Sequence, residues 1–198
     1  MIAVLFARQD SVYKSMLGCD VYDIERDART WPGGCPVIAH PPCRAWGKLR
    51  KLANPSPDEK HLAIFALEQV RRFGGVLEHP ATSTLWPVAG LPRPGVFDSF
   101  GGWTLPVFQN SFGHRAEKST FLYIVGCPPV AIPSLPFFLG DSTHICGASG
   151  RRRDGSRLHK GDPGWRPEIS KAEREQTPEM LADWLFKLAS RCSIFSGI

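Results

Sequence analysis

Long apolar runs are missing from this chain of 198 residues. None approaches the ~18 residues a membrane-crossing helix needs, so a transmembrane protein is not expected. The start "MIAVLFARQD" has no basic segment ahead of a long apolar one, so it does not read as a secretory signal. Cysteine is sparse: Cys19, Cys35, Cys43, Cys127, Cys146 and Cys192 are scattered, with no CxxC pair. That argues against a disulfide framework and for a reduced, cytoplasmic chain with free thiols. Acidic residues are outnumbered, with 19 Asp and Glu against 24 Lys and Arg and a formal charge of +5. This balance permits a polyanionic partner without specifying one. Internal repeats are absent. A hydrophobic share of 42% argues against general disorder, and the length suits one domain, 1–198.

Several segments carry clear patterns. "IAVLFA" (2–7), "DVYDI" (20–24) and "PVIAH" (36–40) read as strands, the last stopped by Pro41 and Pro42. "SPDEKHLAIFALEQVRRFGG" reads as a helix. Ser56 and Glu59 predict a capping box, Pro57 suits the first helical position, and Gly74-Gly75 predict the stop. "VLEH" (76–79) then reads as a strand. Strand, helix, strand implies a βαβ unit and a mostly parallel α/β sheet. "STFLYIVG" (119–126) predicts another strand. A final helix is expected from Thr177, with Leu181, Trp184, Leu185 and Leu188 on one face. Residues 127–170 form a Gly/Pro/Arg-rich insertion.

The segment "VIAHPPCRAWGKLRK" (37–51) sets Cys43 behind two prolines, at a strand end, ahead of four positive charges. In open α/β sheets ligands bind beyond the carboxyl ends of strands. Glu78 sits at a second such end, giving a nucleophile and an acid on one rim. Cys43 alone would otherwise be a small packed hydrophobe, and Glu78 an ion-pair partner. Arg44, Lys48, Arg50 and Lys51 offer positive charge that would lower a thiol pKa from about 8.5.

These residues resemble a family. "PVIAHPPCRAWG" is similar to the Pro-Cys segment of cytosine-C5 DNA methyltransferases, and "GGVLEHP" to their glutamate-bearing strand, with His79 where asparagine is usual. "SFGHRAEKSTFLYIVG" resembles their basic motif and following strand, and "ISKAEREQTPEMLADWLFKLASR" their closing segment. All occur in family order. The resemblance is closest to short, phage-type relatives, and implies a bacterial host cell, a phage or prophage setting, and a trimmed Rossmann-like, class I methyltransferase-like domain. It further implies attack by Cys43 on C6 of a pyrimidine in DNA, activating C5. Glu78 would hold a proton at N3. Lys118 best matches the family's base-contacting arginine, with Arg115 and His114 as neighbouring alternatives. Lys118 also reads as a solvated strand-end charge.

The same resemblance implies S-adenosylmethionine, near Phe6 and an acidic residue for ribose hydroxyls: Asp23 by one alignment, Glu25 or Asp27 by another. Here the chain departs from the family. "VLFARQDSVYK" lacks the family's glycines, which let backbone approach the cofactor. The chain binds the donor differently, uses another carbon donor, or has lost catalysis.

Basic residues at 150–168, among them Arg151, Arg152 and Arg153, occupy the family's target-recognition position. They suit DNA-backbone contact, or a solvated loop. Arg44, Lys48 and Arg50 are further DNA-contact candidates. Trp46 suits either the gap left by a flipped base or core packing. Cys35, His40, Cys43, His79 and His114 are candidate metal ligands by residue type, but their spacing matches no zinc motif. Two alternatives stay open. An exocyclic-amino methyltransferase would carry an aromatic residue where Cys43 stands. A catalytically inactive, methyltransferase-derived DNA-binding protein would be consistent with the altered cofactor loop.

Overall fold

The computed structural model describes residues 1–48, 50–147, 150 and 152–193. Strands β1 (Ile2–Leu5), β2 (Cys19–Tyr22), β3 (Val37–Ala39), β4 (Gly75–Pro80), β5 (Trp103–Phe108) and β6 (Ser119–Val125) form one sheet in the order β2-β1-β3-β4-β6-β5. The first four strands run parallel. Strand β6 is antiparallel to both β4 and β5. The sheet is therefore mostly parallel but mixed, and the α/β class expected from sequence holds.

Alternation along the strands builds two cores. Ile2, Val4, Ile38, Val76, Leu122 and Ile124 point to one face. There they meet helix α4 (Glu179–Ala189) through Leu181, Ala182, Leu185 and Leu188. Ala3, Leu5, Val37, Ala39, Leu77 and Tyr123 point to the other. Helix α1 (Glu59–Phe73) covers that face with Ala63, Ala66, Leu67 and Val70, an i, i+3, i+4, i+7 set. Each fully buried leucine contributes roughly 1.5–3 kcal/mol relative to exposure. Two shorter helices, α2 (Leu85–Val88) and α3 (Lys171–Glu175), complete the described elements.

Local chemistry sets the boundaries. Gly74 caps α1, its N–H bonded to the Val70 carbonyl at φ 75°. A Cβ on Gly75 would lie 2.0 Å from the Val37 carbonyl oxygen, so only glycine allows β4 to enter beside β3. The expected capping box is absent: Asp58 precedes the helix without a side-chain cap, and Glu59 turns to Arg44 instead. The last helix begins at Glu179, with Pro178 as its cap, two residues after the expected start. Strand β5 was not expected. Pro106 weakens its pattern, and the edge position tolerates the missing N–H.

The described residues of 127–170 hold little regular structure but are tied to the body: Trp184 Nε1 donates to the Ser134 carbonyl at 3.0 Å, and a single bridge joins Ala116 to His144. A second bridge, Ile145 to Glu168, closes the segment on itself. No helix among the described residues is long and apolar enough to cross a membrane.

Candidate functional site

Strand β1 has β2 on one side and β3 on the other, so the chain direction of the sheet order reverses between β1 and β3. Such a switch point opens a crevice beyond the carboxyl ends. The register pairs Leu5 with Ala39 and Ala39 with Leu77, so β1 and β3 end level with Leu77 while β4 runs on to Pro80 beside β6. His40 follows β3 directly, its N–H bonded to the Leu5 carbonyl at 3.0 Å. Pro41 and Pro42 then lead to Cys43. Its carbonyl accepts from the N–H groups of Trp46 (3.0 Å) and Gly47 (2.7 Å), closing a tight turn. Glu78 alternates with Leu77 and His79 and therefore faces the side of β4 that Val76 faces.

A polar chain runs through this rim. The Tyr13 hydroxyl and His40 Nε2 are 3.1 Å apart. His40 Nδ1 lies 3.1 Å from Glu78 Oε2. Gln109 Nε2 donates to Glu78 Oε1 at 3.1 Å and to Thr120 Oγ1 at 3.0 Å. Tyr13, Gln109 and Thr120 are buried, and the His40 and Glu78 side chains are only 11% and 12% exposed.

Burial alone would raise the Glu78 pKa, but the His40 hydrogen bond and the positive charge of Lys118 outweigh it, with smaller help from the charges of His40 and His79. The result is a carboxylate held down at about 2. Burial pushes His79 down to about 4, against the opposing charge of Glu78. His79 is therefore neutral at neutral pH, where His40 and Lys118 are the lasting influences on Glu78. The Cys43 thiol is raised: desolvation acts first, the Glu78 charge adds to it, and Lys118 opposes both. The residue as a whole remains exposed at the rim. The helpful charge on Cys43 thus comes from Lys118, across the rim, and not from the basic loop that follows it in sequence.

Cys43, Glu78 and Lys118 lie within electrostatic reach of one another, and several of the other expected residues are engaged elsewhere. Trp46 is 2% exposed, packs in the α1-side core and donates through Nε1 to the Lys60 carbonyl at 3.2 Å. It is a core residue and cannot enter a base stack. Arg44 is taken by the Glu59 carboxylate. Arg115 is taken by Glu173, with His144 3.2 Å from its Nη1. His114 is buried, and its Nδ1 lies 2.8 Å from the Ala116 carbonyl oxygen. Lys48 and Arg50 are exposed. Arg152 pairs with Asp162 at 2.5 Å, and Arg153 is exposed. Arg151 lies outside the described residues.

The cofactor candidates sit at the exits of β1 and β2. Phe6 has φ 62°, the one positive value among the described non-glycine residues, and its ring meets Phe65 edge-on at 6.3 Å. Asp23 is fully engaged. Its Oδ1 accepts from the N–H groups of Glu25 and Arg26, and its Oδ2 pairs with Lys14 at 2.5 Å. The Lys14 bond, with these N–H groups, holds its pKa at about 2. Asp27 caps the turn Ala28–Thr30 and pairs with Arg29. Arg8 bridges Asp10 and Glu175 across the β1 exit, and Gln9 reaches Glu25. Of the three acidic candidates, Asp23 is fully engaged, while Asp27 and Glu25 lie at the surface paired with Arg29 and Gln9. Among the described residues no three His, Cys, Asp or Glu side chains gather as metal ligands.

Three members of the site, Tyr13, Gln109 and Thr120, carry no motif in the sequence, and His40 stands out there only as a possible metal ligand. His40 did carry a signal, standing at a strand end ahead of Pro41. Gln109 carried none, because β5 before it was unread. No protein-family model, curated protein or solved structure matches the chain.

Proposed function

We propose that this chain modifies a pyrimidine base carried by DNA, through covalent attack of Cys43 on C6, on a trimmed class I methyltransferase-like domain. The observation that carries this reading is the placement of Cys43, past the end of β3, and Glu78, just past the Ala39–Leu77 pairing on β4, within electrostatic reach of each other and of Lys118. Cys43 is exposed and its raised pKa makes the thiol the resting form, so its proton passes to solvent as the sulfur attacks. The thiolate adds to C6 and the C5=C6 electron pair moves toward C5 and the group at C4. Lys118 offsets the negative charge that builds. Glu78 orients the ring at N3. C5 then takes an electrophile, loses its original proton, and Cys43 leaves as thiolate.

Addition and release of Cys43 also exchange the C5 hydrogen with solvent, with no carbon donor needed. Incubating pyrimidine-containing DNA with the protein in deuterium oxide therefore tests the reading. Deuterium at C5 is expected with the native protein and not with Cys43→Ser. Its absence from every pyrimidine offered overturns the reading. The engaged Asp23 and bridged β1 exit favour one second reading, a non-enzymatic DNA-binding protein. That reading predicts DNA binding with no exchange.

A further inference from the structure

The proposed pyrimidine chemistry leaves open which ring enters, and the hydrogen-bond polarity around Glu78 bears on that choice. One side of the network is anchored on backbone. Thr120 Oγ1 donates to the Lys118 carbonyl at 3.4 Å. The hydroxyl therefore accepts from Gln109, which fixes the amide with Nε2 toward Thr120 and toward Glu78 Oε1. The other side is anchored on Tyr13. Its buried hydroxyl has His40 Nε2 as its one hydrogen-bond partner among the described residues. A phenol that donated nothing would leave its proton orphaned, so it donates to Nε2. That leaves Nδ1 as the N–H, which donates to Glu78 Oε2.

Both carboxylate oxygens thus receive donors. The nearby positive charge of Lys118 favours the same ionised state. An anion offers a ring only lone pairs. Neutral cytosine presents a lone pair of its own at N3, whereas uracil presents an N–H there. We propose that the substrate is a uracil-type ring, unsubstituted at C5, whose N3–H donates to Glu78. This rests on the pyrimidine reading above and narrows its substrate class. A carboxylate that can only accept discriminates against a ring that meets it with a lone pair of its own, because the two repel where uracil would gain a charge-assisted hydrogen bond.

The test compares C5 exchange in deuterium oxide for deoxyuridine and deoxycytidine, in one oligonucleotide and as free nucleotides, read by mass spectrometry. The step balances without a co-reactant. Cys43 sulfur bonds to C6, a deuteron adds at C5, the C5 proton leaves, and the C6–S bond breaks. Exchange at uracil is expected to exceed that at cytosine by roughly tenfold or more. Glu78→Gln, whose amide can turn either a donor or an acceptor to the ring, is expected to erase most of that preference. Equal exchange, or exchange at cytosine alone, overturns the uracil assignment and leaves the Cys43 chemistry standing. Exchange at neither base, in either carrier, overturns both.

Discussion

Glu78, on β4, and His40, directly after the adjacent parallel strand β3, meet at 3.1 Å, Oε2 to Nδ1. The pair joins β3 to β4 at the rim where Cys43 turns away. A carboxylate this buried would ordinarily take up a proton. It remains ionised because donors reach it from both sides and Lys118 adds charge.

The first prediction concerns acid. Glu78 has a folded pKa of about 2, below the usual glutamate value of about 4.3. Its contribution to stability is present above the unfolded value and is lost as pH falls toward 2. The shift corresponds to at most about 3 kcal/mol. His40→Phe keeps a ring but removes the donor, so Glu78 should titrate higher and the loss should begin at higher pH. Chemical denaturation across pH 2–7 measures it. An unchanged acid profile in His40→Phe would separate His40 from the state of Glu78.

The second prediction concerns His79. It is wholly buried, and neither ring nitrogen makes a well-formed hydrogen bond among the described residues, the Pro42 backbone being its one weak polar neighbour. An orphaned buried polar group costs about 1–3 kcal/mol. His79→Leu should therefore raise the melting temperature at neutral pH. The pKa of about 4 adds a pH signature. The unfolded chain binds a proton near pH 6.5 and the folded chain only near 4, so stability falls as pH drops through that window. His79→Leu should flatten this part of the curve and leave the Glu78 part below it. A lowered melting temperature with an unchanged pH profile would show that the imidazole is satisfied in solution.

Much of this fold was legible because periodicity reports burial. Val37, Ile38 and Ala39 read as a buried strand, and Leu181, Leu185 and Leu188 as a helical face, because each set repeats with its element. Cys43 and Glu78 were legible because they stand where such strands end. What failed depended on distance along the chain. Arg115 reads as a free cation until Glu173 folds beside it, and Trp46 as a loop aromatic until Lys60 accepts its N–H. The Ser56–Glu59 cap was plausible locally and lost to the ion pair with Arg44. Gln109 reaches Glu78 only once β5 and β6 have paired.

The third prediction concerns DNA. Changing Arg151, Arg152 and Arg153 together to alanine should weaken duplex binding. The slope of log affinity against log salt should flatten by up to about 0.9 per lost phosphate contact. Arg152 already pairs with Asp162, so Arg153 should carry more of the effect than Arg152. Salt titrations of the single and triple variants decide it. Unchanged affinity and slope in the triple variant would mean that this arginine run does not touch DNA.

The fourth prediction separates chemistry from structure at Glu78. Glu78→Gln keeps the volume and one acceptor oxygen, but removes the charge and brings a second amide donor against His40 and Gln109. If the carboxylate acts on the ring in the transition state, C5 exchange should fall by roughly 10²–10⁴. DNA affinity, which depends mainly on phosphate contacts, should change little. If Glu78 only ties β3 to β4 through His40, the variant should melt at lower temperature while the exchange rate per folded molecule stays near normal. One preparation yields all three quantities: melting temperature, DNA affinity, and exchange at 25 °C in a buffer where both proteins are fully folded. A rate loss confined to exchange places Glu78 against the substrate. A melting loss with normal exchange removes it from the site, and leaves Cys43 and Lys118 without the group that orients the ring between them.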